Sequence, residues 1–284
     1  MEFAKWHRPL TFFYQSVSYK ELILRVETPI IYYMKFVGII PARYASTRFP
    51  GKPLAMIGGK PMIQRVYERA SMALDEVFVA TDDERIRAAV ESFGGRCVMT
   101  SPNHRSGTDR CYEAYRNCGV EADVVINIQG DEPFIAPGQI DSLKGCFDNP
   151  DTDIATLVRP FDPAKGWDAL FNPNTPKVTF DNQMRALYFS RSIIPYVRGA
   201  EWQHWLEKAR FYTHIGMYAY RTDTLAKIVE LPQSSLEIAE SLEQLRWLQN
   251  GFTIRVGVSE CDTIGIDTPA DLEAACRYLQ SIEA

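Results

Sequence analysis

A chain of 284 residues can enclose one large or two small cores, and its 46% apolar and 24% charged residues are those of a folded globular protein, which excludes a disordered one. A formal net charge of −5 repels nucleic acid, so any anion site must be a local concentration of Arg and Lys, suited to a small anionic substrate. The six cysteines, Cys97, Cys111, Cys118, Cys146, Cys261 and Cys276, form no C-x-x-C pair and read as reduced, packed thiols.

In residues 1–33, Lys20, Glu21, Arg25 and Glu27 interrupt the apolar residues. No run of about 18 could span a bilayer, and no apolar core precedes a small-residue cleavage site. The segment reads as a misassigned leader or a disordered extension ahead of a natural start at Met34. Residues 36–40, FVGII, are expected as a buried strand that stops at Pro41. The loop that follows carries Arg43, Arg48 and Lys52 among Ala42, Ser46, Gly51 and two prolines. Three cations at the C-terminal end of a first strand suit a polyphosphate, since guanidinium pairs with phosphate oxygens and Lys acts as a point charge. A solvated basic loop is the plain alternative. Neither G-x-x-x-x-G-K-[ST] nor G-x-G-x-x-G occurs, which disfavours a dinucleotide oxidoreductase.

Beyond a turn at residues 58–61, helical spacing covers 62–72, a strand 76–80 and a helix 84–93 that Gly94 and Gly95 close. Residues 97–100 form a short strand, 101–108 a polar loop and 109–118 a helix. The strongest strand, 123–129, runs into Gln129-Gly130-Asp131-Glu132-Pro133. Acids at that strand end can hold a divalent cation, or merely cap a turn. Strands alternating with helices of about ten residues imply right-handed crossovers and a doubly wound, mostly parallel α/β sheet. From residue 152 closely spaced strands (154–158, 177–180, 185–189, 211–220) suggest an inserted antiparallel subdomain over about 152–222. A helix is expected over 236–248, a strand over 253–258, and a last helix over 272–280 behind a cap at 268–271. Asp267 precedes that cap, as a second candidate cation ligand or as the cap itself.

The spelling PARYASTRFPGKPL resembles the signature loop of the sugar nucleotidylyltransferases, and is most similar to the 3-deoxy-manno-octulosonate (KDO) cytidylyltransferases. The resemblance extends from about residue 35 to 279. It implies attack of the anomeric hydroxyl of KDO on the α-phosphate of CTP, with release of pyrophosphate in a cytoplasmic enzyme of lipopolysaccharide biosynthesis. It assigns the triphosphate to Ala42, Arg43, Arg48 and Lys52, the pyrimidine edge to Ser106, Gly107 and Thr108, and Mg²⁺ to Asp131 and Asp267, with Arg48, Lys52 and Asp131 carrying the catalysis. Gln129, His214, Tyr218, Glu243 and Gln244 would bind the sugar, with Arg191 as a further carboxylate partner. Residues 197–210 match the pattern least, and their two tryptophans suggest packing against a second copy, since the family dimerises through the inserted region. A cytidylyltransferase for another acidic sugar and a regulator without turnover are the alternatives.

Overall fold

A computed structural model describes residues 33–45, 48–261 and 264–283. The expectation for residues 1–33 lies outside them, Tyr33 apart. Strand β1 (Phe36–Ala42) sends Val37 and Ile39 into one core cluster and Ile40 and Ala42 into another. An all-apolar strand that alternates between two cores is one covered by helices on both faces. A hairpin of β2 (Met56–Ile57) and β3 (Lys60–Pro61) follows the signature loop. It turns on Gly58 and Gly59, whose φ angles of 52° and 77° are the left-handed values a two-residue turn demands. Helix α1 (Met62–Ala70) starts directly behind it and buries Met62, Ile63, Val66 and Ala70.

Next come β4 (Glu76–Thr81), α2 (Glu84–Ser92), β5 (Cys97–Met99), α3 (Gly107–Asn117), β6 (Val124–Asn127) and α4 (Pro137–Gly145). Strand β7 (Ile154–Pro160) leads to α5 (Gly166–Phe171), and β8 (Lys177–Phe180) pairs with β9 (Ala186–Ser190) as an antiparallel hairpin. Then α6 (Trp205–Lys208) precedes β10 (Tyr212–Arg221). Helices α7 (Thr222–Ile228), α8 (Ser235–Glu240) and α9 (Gln244–Gln249) separate β10 from β11 (Ile254–Val258), and α10 (Pro269–Glu283) follows.

Among the described residues the main sheet has nine strands, with the path β11-β7-β10-β6-β1-β4-β5. Strands β5, β4, β1 and β6 are parallel neighbours, β11 is parallel to β7, and β10 runs antiparallel between β6 and β7. Helices α1, α2 and α4 pack on one face, and α3, α7 and α9 on the other. The doubly wound α/β fold is therefore as expected. No helix among the described residues is long and apolar enough to cross a membrane.

Four local expectations are corrected. Strand β1 runs through Pro41, which stays in register with Ala80 of β4. Ile39 O accepts from Ile128 N on the β6 side, so by alternation the missing donor of Pro41 faces that side, where the ladder has already ended at Ile39 and Asn127. Helix α3 begins at Gly107, two residues early, because Ser106 and Asp109 form a reciprocal cap. The single helix expected over 236–248 breaks into α8 and α9 at Ser241, which sits at φ 50°. Of the segment expected as an insertion, β7 and β10 belong to the main sheet, and β8 and β9 hang off it through Thr213 and Lys177.

Candidate active site

The triphosphate candidates and Asp131 follow the C-terminal ends of β1 and β6, where open α/β sheets leave a crevice. Gly51 N donates to Tyr44 O at 2.8 Å and closes the signature loop. Its φ of 72° and the Tyr44 ring, 3.1 Å from where a Cβ would stand, require glycine there. Lys52 opens the 3-10 turn that follows. Its ammonium lies 2.7 Å from Asp131 Oδ2 and 3.2 Å from Asp267 Oδ1, and its side chain is only 14% exposed. Arg48 reaches Asp267 Oδ2 at 3.1 Å but is 66% exposed, so water screens that pair.

Two carboxylates 136 positions apart thus converge on one cation, and the backbone explains how. Ile266 N donates to Asp131 O at 3.0 Å, which ties the two loops together. Thr268 and Asp271 cap α10 reciprocally, and Asp271 also accepts from Asp267 N. The capping role therefore belongs to Thr268, and the Asp267 carboxylate is turned to the cations. Beside Asp131, burial and then the Asp131 charge push the Glu132 carboxyl up to about 7.

Ala42 ends β1 and is buried. Arg43 turns away from the carboxylates and donates to His104 O, while the His104 ring pairs with Glu113. The Ser106 hydroxyl accepts from Asp109 N at 3.1 Å, so the expected loop is the capped start of α3. A Cβ on Gly107 would meet nothing closer than 3.8 Å, at Asn127. The Thr108 hydroxyl donates to Glu243 Oε2 at 2.8 Å and so joins the nucleotide candidates to the sugar candidates. Burial raises the Glu243 pKa, against the lowering effects of Thr108 and Arg246.

Around the sugar candidates, β10 carries a bulge between Ile215 and Tyr218. Gln129 Nε2 donates to Gly216 O at 2.8 Å, and the Thr156 hydroxyl donates to Met217 O at 2.8 Å, so the carbonyls freed by the bulge are taken up. The rings of His214 and Tyr218 lie 5.3 Å apart. Burial pushes the His214 pKa down to about 3, so its ring is neutral, and Nε2 meets the Thr156 hydroxyl at 2.9 Å. The buried Tyr218 hydroxyl and Gln244 Nε2 have no well-formed hydrogen bond among the described residues.

Arg191 is different. Its Nε donates to Glu240 O at 2.6 Å, Nη2 to Ser241 O at 3.1 Å and Nη1 to Pro173 O at 2.8 Å. In this structure it holds the corner between α8 and α9, and the carboxylate role expected of it is not what its donors serve. Sequence reasoning passed over Thr156, Arg246 and the fully buried Arg110, which donates to Thr100 and pairs with Asp82.

A family model described as cytidylyltransferase matches residues 37–255. A 3-deoxy-manno-octulosonate cytidylyltransferase from Phocaeicola vulgatus is 64% identical over 250 residues, covering 88% of this chain and 99% of that protein. The chain belongs to the 3-deoxy-manno-octulosonate cytidylyltransferase family. Its member from Escherichia coli is 49% identical, over 84% of this chain and 94% of that one. A solved structure of CMP:2-keto-3-deoxy-manno-octonic acid synthetase complexed with CTP superposes with a TM-score of 0.79 at 48% identity, covering 88% of this chain and all of the other. For a family that takes CTP, a cation pair facing two carboxylates at a sheet edge has a chemical purpose.

Proposed function

We propose that the protein transfers CMP from CTP to the anomeric hydroxyl of KDO, in the cytoplasm, as a step of lipopolysaccharide biosynthesis. One observation carries the site assignment: a single ammonium, that of Lys52, reaches both Asp131 and Asp267. A pocket for one small cation between two acids suits Mg²⁺, which takes few protein carboxylates and fills its shell with phosphate oxygens and water. Mg²⁺ held by Asp131 and Asp267 would polarise the α-phosphate and offset its charge.

The chain's own groups do the positioning, which is most of what phosphoryl transfer asks of a protein. Lys52 and Arg48 neutralise the triphosphate, Arg43 and the backbone at Ala42 border it, and Ser106, Gly107 and Thr108 meet the pyrimidine edge. Gln129, His214, Tyr218, Glu243 and Gln244 orient KDO. The anomeric oxygen bonds to the α-phosphorus as the bond from that phosphorus to the bridging oxygen breaks. Pyrophosphate leaves with the electron pair, and the hydroxyl proton passes to solvent. Neutral His214, its Nε2 proton directed at Thr156, can accept from a sugar hydroxyl at Nδ1 but adds no positive charge.

The reading includes a homodimer formed through the region of Trp202 and Trp205. Phe171, Tyr196 and Trp202 are exposed there at 50%, 74% and 42%, a concentration of aromatic surface that supports a partner. Light scattering at micromolar concentration should give twice the chain mass; a monomer removes that part.

The deciding experiment measures pyrophosphate release from CTP and Mg²⁺ with KDO or N-acetylneuraminate, using wild type beside Asp131→Asn. KDO-dependent release lost in Asp131→Asn supports both reaction and metal role. Release with the sialic acid alone moves the substrate, and release with neither defeats the reading.

A further inference from the structure

Glu243 is held by a run of hydrogen bonds that starts at the beginning of α8. Ser234 N donates to Glu237 Oε2 at 3.1 Å, one half of the cap on that helix. The same Glu237 carboxylate takes Arg246 as a two-pronged pair, from Nε at 2.9 Å and Nη2 at 2.7 Å. Arg246 Nη1 donates to Leu231 O at 3.0 Å, and Nη2 also reaches Glu243 Oε1 at 3.4 Å. The other oxygen of Glu243 takes the Thr108 hydroxyl. The Arg246 and Glu237 side chains are 11% and 7% exposed, so this pair is shielded from solvent and its geometry is fixed by packing.

We infer that Arg246 is a positioning residue for acceptor recognition, which fixes the Glu243 carboxylate and keeps it an ionised acceptor for sugar hydroxyls. The inference rests on the reading of Glu243 as a sugar ligand. A strut that only joined α8 to α9 would be complete with Glu237 and Leu231. Nη2, already bonded to Glu237, is shared at 3.4 Å with a second acid, Glu243, whose opposite oxygen meets the first turn of α3. The groups that face Glu243 are Arg246 on α9, Ser106 at the α3 cap, Thr108, Asp109 and Cys111 on α3, and Tyr218 and Tyr220 on β10. Arg246 is the cation of that set. Burial favours the protonated acid there and Asp109 adds to it, while Arg246 and Thr108 oppose it.

The test uses the full-length protein with CTP, Mg²⁺ and KDO, comparing Arg246→Met, Arg246→Lys, Glu243→Gln and the Arg246→Met/Glu243→Gln double variant. In Arg246→Met the KM for KDO should rise about tenfold while that for CTP stays within about twofold. The acid limb of kcat/KM for KDO should move to higher pH, since the free enzyme then holds its proton longer. Arg246→Lys should keep the limb near its original place, and the double variant should lose no more than Glu243→Gln alone. Equal losses for CTP and KDO with an unmoved pH limb would overturn the inference. Should Arg246→Met fail to fold, Arg246→Gln, which also removes the charge, takes its place in the cycle with Glu243→Gln, and strictly additive effects overturn the inference. A Glu243→Gln variant with unchanged KM for KDO defeats the underlying reading as well. If Glu243→Gln raises that KM and Arg246→Met does not, the inference alone fails.

Discussion

Lys52 Nζ stands 2.7 Å from Asp131 Oδ2, in the place where a metal shared with Asp267 would be bound. On the proposed reading, the ammonium and a divalent cation would compete for the same oxygens before CTP binds. Lys52→Met should bind Mn²⁺ more tightly in the absence of CTP, measured by titration calorimetry, and should lose turnover by about a hundredfold or more. Mn²⁺ affinity unchanged or weakened by the substitution would show that Lys52 does not occupy the cation's place.

Gly130 lies under the first of these acids. A Cβ built on it would sit 2.7 Å from the carbonyl oxygen of Pro41, a main-chain atom that cannot rotate aside. Gly130→Ala should cost about 1–3 kcal/mol of stability by overpacking, lowering the thermal midpoint. Because it pushes β1 and the Asp131 loop apart, pyrophosphate release should fall by more than the same variant loses in folded fraction. A variant with wild-type melting and activity would show that the contact relaxes at no cost.

His214 makes stability depend on pH with a definite sign. Its pKa is about 3 when folded, from burial, against about 6.5 for an unfolded histidine. Between those values the unfolded chain binds the extra proton, so stability rises with pH through the window and is lost as pH falls through it. Glu132, pushed up to about 7, works in the opposite direction over much of the same range. The comparison is therefore between urea midpoints of wild type and His214→Gln at pH 5, 6 and 7. The wild type should lose more than the variant on acidification; parallel curves would mean that His214 is accessible to protons in the folded state.

Arg191→Met removes a guanidinium bonded to two backbone carbonyls at the corner between α8 and α9, Glu240 and Ser241, and to Pro173 O ahead of β8. A loss of about 1–3 kcal/mol in unfolding free energy is expected, together with faster amide exchange at residues 240–244. A variant that melts like wild type yet fails to bind KDO would restore the carboxylate role.

Much of the architecture was legible because its signals are local. Strand β1, helices α1 and α2, and the Thr268 cap follow from periodicity and capping residues within a few positions of one another. The place of β10 in the sheet was not legible, since strand order is settled by packing between residues far apart. Helix α4 escaped notice because it presents only Gln139, Ile140 and Leu143 to the interior between Gly138 and Gly145. Ser234 and Glu237 announce a capped helix, but no local rule says that the same Glu237 will hold Arg246, nine positions on. Arg110 reads as a surface residue of α3, and only its burial beside Asp82 and Thr100 shows otherwise.

The residues proposed to face the acceptor, Gln129 apart, all lie between positions 214 and 244, on the reversed strand β10 and the broken helix behind it. Those proposed to handle the nucleotide lie before position 132, Asp267 apart. On that reading, donor and acceptor selectivity would fall mostly to separate stretches of the gene. If the proposed assignments hold, a single recombination replacing residues 212–249 would exchange most of the acceptor side, Gln129 apart, while the triphosphate side descends unaltered.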